Sequence, residues 1–374
     1  MDKRKIESLN IMIKPASSNC NLRCRYCFYF DEANNRKISD YGMMKIDTLE
    51  KLIQNVFSNV TKSASFLFQG GEPTLRGVEF FYEFHRLIDY YNKDNINVGF
   101  AIQTNGALID DNWLNLFEKY NYLVGISLDG IKSSNEFRIN QNGDNVFDKV
   151  IENLDELKKR NIDFNILTVI NSKVARSAKE IYNFYKENDI YFMQFIPLID
   201  SFDNKRKDYS LSEKDYGVFL DELFNLWYED IIKKDIRSIR YFENLIMILM
   251  GRNPESCDMT GHCSINLIVE ADGSVYPCDF YVIDRWKLGN IKDKSIIDIL
   301  FSKKSYEFIK RSFELNNKCK NCKYLKICRS GCYRYKDNRG YNKFCESYKY
   351  FYERNLEKLF EIRDLIINQM NEKA

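Results

Sequence analysis

"LNIMIKPASSNCNLRCRYCFY" (9–29) begins as an apolar run, breaks at Pro15 and then sets Cys20, Cys24 and Cys27 at C-x3-C-x2-C. The run reads as a β-strand, and the cysteines fall in the loop that follows it. Five further runs have the same character: "ASFLFQGG" (64–71), "VGFAIQTNG" (98–106), "YLVGISLDG" (122–130), "FNILTVI" (164–170) and "YFMQFIPLI" (191–199). Between them, 46–60, 78–92 and 146–160 carry apolar residues at helical spacing, and 110–120 and 176–188 do so less regularly. Six strands alternating with helices predict a parallel sheet, either an open wound sheet or a partial barrel. In such folds functional groups gather beyond the carboxyl ends of the strands. Those ends hold the cysteine loop, "QGGEP", "QTNG" and "SLDG".

Past residue 210 the pattern turns helical, at 211–234 and 239–251. "INLIVEADGSVYPC" (265–278) predicts a short hairpin turning at Asp272-Gly273. The segment 346–371 predicts a long amphipathic helix whose aromatic stripe is packing surface.

A chain of 374 residues with 44% apolar content can fill one large core and a smaller one. Its 56 basic and 54 acidic residues nearly cancel, which leaves no electrostatic footprint for nucleic acid or an anionic membrane. "MDKRKIESLNIMIK" lacks the apolar centre of a signal peptide, and no apolar run is long enough to span a membrane. A cytoplasmic protein is expected. Eleven cysteines therefore stand out. Their odd number and a reducing compartment argue against a disulfide framework. With only His85 and His262 available, any metal is held by thiolates.

The other eight cysteines are Cys257, Cys263, Cys278, Cys319, Cys322, Cys328, Cys332 and Cys345. Taken alone, they fit two four-thiolate zinc sites and iron–sulfur clusters equally well. The first three change the balance. A closed zinc site wants four protein ligands. Three thiolates with no histidine nearby suit a [4Fe–4S] cluster that leaves one iron open. One such site and two four-thiolate sites use every cysteine.

C-x3-C-x2-C with Tyr26 before its last cysteine, "GGEP" (70–73) after the second strand and six βα units together resemble the radical S-adenosylmethionine (SAM) superfamily. Cys263, Gly273 and Cys278 at C-x9-G-x4-C, then C-x2-C-x5-C-x3-C over 319–332 and a final Cys345, resemble the SPASM extension. "IKPASSNCNLRCRYCFY", "FQGGEPTL", "QTNGALID" and "VEADGSVYPCDFYV" look like anaerobic sulfatase-maturating enzymes, over most of the chain.

The resemblance implies a partial (βα)6 TIM-like barrel in residues 1–235 and a cysteine-rich SPASM domain in 236–374. It implies an iron–sulfur, metal-binding oxidoreductase with SAM and three [4Fe–4S] clusters. Cys20, Cys24 and Cys27 would hold the catalytic cluster, with SAM on its open iron. Gly70 and Gly71 would let backbone approach the ligand, and Glu72 would meet the SAM ammonium. Ser127 and Arg138 would touch its methionyl and ribose parts, and Tyr26 its adenine. Tyr29 and Gln69 would face the substrate. The family crosses its auxiliary ligands: Cys257, Cys263, Cys278 and Cys332 for one cluster, Cys319, Cys322, Cys328 and Cys345 for the other. Sequence proximity alone would have grouped 319–332. There is precedent in two-cluster ferredoxins.

The implied reaction turns a Cys or Ser of a sulfatase into formylglycine. A 5′-deoxyadenosyl radical takes a Cβ hydrogen, Asp279 takes the thiol or hydroxyl proton, and one electron leaves to the protein, whose auxiliary clusters would accept it. The implied partners are an unfolded sulfatase segment of Cys/Ser-x-Pro-x-Arg type and a small redox protein as electron donor. One stretch departs from the pattern: "SLDGIKSSNEFRIN" (127–140) has Ile131 where these enzymes carry Pro, and no His before Arg138. Two rival readings are a SPASM maturase that forms a thioether, C–C crosslink or epimer in a ribosomal peptide, and a non-catalytic zinc-ribbon protein. Some peptide maturases carry a peptide-binding domain ahead of the cysteine motif, and the early Cys20 leaves no room for one.

Overall fold

In the computed structural model, which describes residues 5–203 and 205–372, each apolar run forms the strand its pattern predicts. The first four residues of the charged N-terminal stretch lie outside the described residues. The strands are β1 (Ile6–Ile13), β2 (Val60–Phe68), β3 (Asn97–Thr104), β4 (Leu123–Ser127), β5 (Phe164–Ile170) and β6 (Phe192–Pro197). They pair in chain order and all in parallel, β1 to β6 without closing on each other. The crossovers are α1 (Phe28–Asn34), α2 (Ile46–Asn59), α3 (Val78–Tyr91), α4 (Asp111–Tyr120), α5 (Phe147–Lys159) and α6 (Ala178–Glu187). Parallel pairing needs such crossovers, because successive strands must return to the same end of the sheet. Ile11, Ile13, Phe66, Phe68, Ile102 and Val124 from the strands bury against Leu49, Leu52, Phe81, Phe84 and Leu116 from the helices.

No helix is expected from the sequence at 28–34, yet α1 starts immediately after Cys27. Seven residues make too few turns to reveal a period of 3.6.

After α7 (Glu213–Ile232), β7 (Ser238–Ile239) adds to β6 and α8 (Arg240–Leu249) follows. The predicted hairpin forms as β8 (Ile268–Val269) and β9 (Ser274–Tyr276), with β10 (Gly289–Asn290) beside it. The hairpin is not an appendage. β8 pairs in parallel with β1 (Met12 with Ile268, Ile13 with Val269), so among the described residues ten strands make one sheet. The cysteine-rich region is thereby hydrogen-bonded to the strand that carries the first cysteine loop. It continues with α9 (Ile296–Leu300), α10 (Lys303–Lys310), α11 (Asn317–Lys320) and α12 (Leu325–Cys328).

The last helix, α13 (Cys345–Glu372), packs along α7. Phe351 is fully buried against Phe224 and Phe242, and Asp221 accepts from Arg354 and Asn355. Its aromatic stripe is core, as its spacing predicts. Among the described residues no helix is long and apolar enough to cross a membrane.

Candidate active site

None of the eleven cysteines is in a disulfide. Cys20, Cys24 and Cys27 lie in the β1–α1 loop, close enough for the thiols to act on one another electrostatically. Burial pushes Cys20 up to about 12 and Cys24 up to about 11; Glu72 adds to the first shift, while Arg138 opposes the second. Thiols so placed stay protonated until a metal compensates their charge. Backbone N–H groups already aim at them: Leu22 N lies 3.3 Å from Cys20 Sγ, and N–H groups of the first turn of α1 act on Cys27. Asn105, just past β3, reaches Cys20 Sγ at 3.8 Å and Asn21 at 2.8 Å. Sequence reasoning quoted "QTNG" without giving Asn105 this place. A soft-thiolate set of three, with donors around it, fits a cluster with one open position.

The two glycines after β2 are needed, but the room they make is taken up within the protein. Gly71 has φ +57°, and a Cβ there would lie 2.3 Å from the Asn19 carbonyl oxygen. Gly70 has φ +103°, and its Cβ would strike the stem of Lys14 at 2.5 Å. Both let the cysteine loop and β1 press onto the β2 end. Glu72 is buried; its backbone N–H donates to the Asn19 carbonyl of the cysteine loop at 2.8 Å, and its side chain ties its own loop to the end of β3. Its Oε1 accepts from Thr74 N (3.0 Å), Thr74 Oγ1 (2.7 Å) and Thr104 Oγ1 (2.7 Å), and Oε2 accepts from Asn105 N (2.8 Å). A carboxylate has about four lone-pair directions, two on each oxygen, so the free one is on Oε2.

Ser127 ends β4, and its Oγ accepts from Gln103 Nε2 at 3.0 Å. Tyr26 turns its hydroxyl inward to Asp129, and Arg138 Nη1 donates to it at 3.2 Å. Arg138 is buried near Cys24 and its Nε has no partner. Asp129, which sequence reasoning passed over inside "SLDG", is fully buried. It also accepts from Val169 N at 3.0 Å and Asn171 Nδ2 at 3.4 Å.

On the other side of the cysteine loop, Tyr29, Gln69 and Asp279 come together from three distant segments. Asp279 Oδ2 accepts from Tyr29 Oη at 2.6 Å and from Gln69 Nε2 at 3.3 Å. Gln69 Nε2 also reaches Tyr29 Oη at 2.7 Å. Asp279 Oδ1 is buried and has no partner. Burial raises the Asp279 pKa above the usual carboxylate range, with Lys14 and the Tyr29 hydrogen bond opposing. A carboxylate with a free, desolvated oxygen and a raised pKa is suited to taking a proton.

Below it lies a charge cluster with one sequence signal, a lysine ending an apolar strand. Lys14 Nζ is 3.4 Å from Glu270 and 3.8 Å from Glu32, and 4.6 Å from the centre of the Tyr29 ring. Arg36 holds Glu270 at 2.7 Å. Burial works against the Lys14 charge, but Glu270, Glu32 and Asp279 outweigh it and its pKa is raised. With Asp279 the cluster has two cations for three carboxylates. Glu32 is the natural holder of a proton: burial pushes it up to about 8 against the pull of Lys14, and its Oε2 has no hydrogen bond.

The eight later cysteines sort by position in space. Cys257, Cys263, Cys278 and Cys332 line one cleft with Phe280, Tyr281 and Phe308. Cys328 is pushed up to about 12 by burial, and then by Cys345, Cys319 and Cys322. Among the described residues no three His, Cys, Asp or Glu side chains are drawn to a point as around a single ion. The first four thiols stand round a cleft instead.

The profile of the Radical SAM superfamily matches residues 15–185, and that of the SPASM iron-sulfur cluster-binding domain matches 257–323. The chain is 46% identical to a cysteine-type anaerobic sulfatase-maturating enzyme of Clostridium novyi, over 95% of this chain and 97% of that one. A serine-type enzyme of Bacteroides thetaiotaomicron is 29% identical over 96% and 92%. A solved structure described as native anSMEcpe with bound AdoMet and Cp18Cys peptide superposes with a TM-score of 0.91. It is 41% identical, with 96% and 99% of the two chains covered.

Proposed function

The chain belongs to the anaerobic sulfatase-maturating enzymes of the radical SAM superfamily, and from that premise we propose that it oxidises a cysteine, in preference to a serine, of a sulfatase segment to formylglycine. The preference follows the stronger likeness to the cysteine-type relative. The observation that carries the reading is the orphaned Oδ1 of Asp279, buried and backed by Tyr29 and Gln69 on Oδ2. Bound at the three-cysteine loop, SAM and a [4Fe–4S] cluster supply the 5′-deoxyadenosyl radical that takes the Cβ hydrogen. The chain's own residues hold the proton and the geometry. Asp279 Oδ1 takes the S–H proton, the one electron that remains would pass to an oxidised auxiliary cluster held by the later cysteines, and Tyr29 and Gln69 keep the carboxylate in register. Water then hydrolyses the resulting thioaldehyde, which releases hydrogen sulfide and leaves the aldehyde.

The remaining assignments are part of the same reading. Cys20, Cys24 and Cys27 hold the catalytic cluster. Glu72 offers its free Oε2 direction to the SAM ammonium, and Ser127, Tyr26 and Arg138 line the rest of the SAM site. Cys257, Cys263, Cys278 and Cys332 hold one auxiliary cluster, a grouping supported by their common cleft. Cys319, Cys322, Cys328 and Cys345 hold the other. Cys278 precedes Asp279, so the base adjoins that cleft. We divide the chain into a core at 1–235 and an auxiliary domain at 236–374, and place it in the cytoplasm with a small redox protein as electron partner. A Cys-x-Pro-x-Arg peptide incubated anaerobically with SAM and reductant should lose about 18 mass units, as an aldehyde replaces the thiol-bearing methylene. An unchanged peptide overturns the reading. Iron analysis should return about 12 irons per chain for three cubane clusters.

A further inference from the structure

The segment that carries three cysteines of the second auxiliary group is basic out of proportion to the chain. Residues 318–329 hold Lys318, Lys320, Lys323, Lys326 and Arg329 and no acidic residue, in a chain whose net charge is +2. All four lysines are exposed. Lys323 has one distant ion pair, 3.8 Å to Glu353, and Lys318 stands 4.8 Å from the Tyr341 ring centre. Among the described residues Lys318, Lys320 and Lys326 have no ion pair. Four like charges on α11, α12 and the turn between them repel one another, and little within the chain offsets that cost.

An ordinary solvated face would also be lysine-rich. Two features distinguish this one. It lacks the interspersed acids found elsewhere on the surface, such as the Lys149–Glu152 and Lys159–Glu156 pairs of α5. Its lysines also alternate along the chain with Cys319, Cys322 and Cys328, so charge and thiols share one short segment. Cys322 and Cys328 are only half-buried. Whatever those cysteines hold lies under a thin, positively charged surface.

We propose that this lysine face docks a small acidic one-electron carrier protein against the site of Cys319, Cys322, Cys328 and Cys345. The inference rests on the assignment of an auxiliary cluster to those cysteines. In one encounter the carrier gives up one electron and the cysteine-held cluster gains it, or the reverse, and no bond is made. Electron transfer falls steeply with distance, so a carrier must land at the cluster edge nearest the surface. Lysines, as hydrated and mobile point charges, steer encounters and raise the on-rate without making the complex too tight to leave. Redox encounters are typically of this small, transient kind.

The probe is a reduced, strongly acidic flavodoxin mixed anaerobically with the iron-loaded full chain, with its oxidation followed by stopped flow. The second-order rate should fall at least tenfold between low and high ionic strength, because screening removes the steering. Lys320→Glu/Lys323→Glu/Lys326→Glu, with iron content unchanged, should react at least tenfold more slowly at low salt. Its reduction by dithionite and its dithionite-driven peptide oxidation should match the wild type. A wild-type rate indifferent to salt overturns the proposal without any variant. So does an unchanged rate in the triple variant or, should that variant lose iron, in the milder Lys→Gln triple. Dithionite-driven peptide oxidation with no salt-sensitive docking would sink the docking surface and leave the sulfatase-maturase reading intact. Salt-sensitive docking with no peptide oxidation would do the converse.

Discussion

Tyr26 and Tyr29 stand three residues apart and each donates its hydroxyl to a buried aspartate, yet the two pairs do opposite things. Asp129 is enclosed: Tyr26, Val169 N and Asn171 surround it, and Arg138 lies beside it. Both of its oxygens are used. Asp279 receives Tyr29 and Gln69 on one oxygen and nothing on the other. A buried polar atom left without a partner costs stability. The Asp129 pair is closed on both oxygens and holds the fold; the Asp279 pair keeps one oxygen open, which is why the proposed base is placed there.

The largest expected effect breaks the comparison on the chemical side. Asp279→Asn should lower peptide oxidation about 10³-fold, within the usual range for loss of a general base, while SAM cleavage to 5′-deoxyadenosine continues. Quantifying both products in one anaerobic assay checks it, and formylglycine at the wild-type rate would remove Asp279 as the base. Asp129→Ala should act on stability instead. It strands Val169 N and leaves Arg138 uncompensated, so the unfolding free energy should drop by about 3 kcal/mol, seen as an earlier urea midpoint.

The tyrosines sharpen the contrast. Tyr29→Phe should slow peptide oxidation about tenfold with little change in urea midpoint. Tyr26→Phe should instead cost about 1.5 kcal/mol of stability, since hydrogen bonds to charged groups are worth that much. Equal effects of both variants on both readouts would dissolve the distinction. The smallest effect concerns Glu32. Its folded pKa, about 8, lies above its unfolded value near 4.5, so the folded state binds the extra proton between those pH values. Stability from this group is complete below about pH 4.5 and is lost as pH rises through about 8. Thermal midpoints from pH 5 to 8 should fall less in Glu32→Gln than in the wild type.

The six-strand alternation and its helices were legible because each element states its own period. So was α13, whose aromatic stripe reads as packing surface. What escaped was short or distant. α1 spans seven residues, too few to show periodicity. The hairpin was visible as a hairpin, but its pairing with β1 was not, since strand partners depend on the whole sheet. Asp129 and Asn105 were unremarkable in sequence because their roles lie in what they touch, and Lys14 gave a signal only as a lysine ending an apolar strand. The glycines of "GGEP" were singled out as room for a ligand, whereas the structure fills that room with Asn19 and Lys14.

The sequence by itself determined the three-thiol site. Cys20, Cys24 and Cys27 are tethered within eight residues, and so short a tether keeps the sulfurs together in almost any fold. The family resemblance implied how the other eight cysteines divide, and the tertiary structure sets four of them round one cleft; what meets Asp279 only that structure decided. Cys332 joins Cys257, Cys263 and Cys278 round one cleft although Cys328 is nearer to it in the chain. Tyr29 reaches Asp279 across 250 residues. Those meetings depend on β8 adding to β1, which carries the second cysteine region to the mouth of the first. Local spacing limits where a side chain can go; long-range strand pairing selects where it goes.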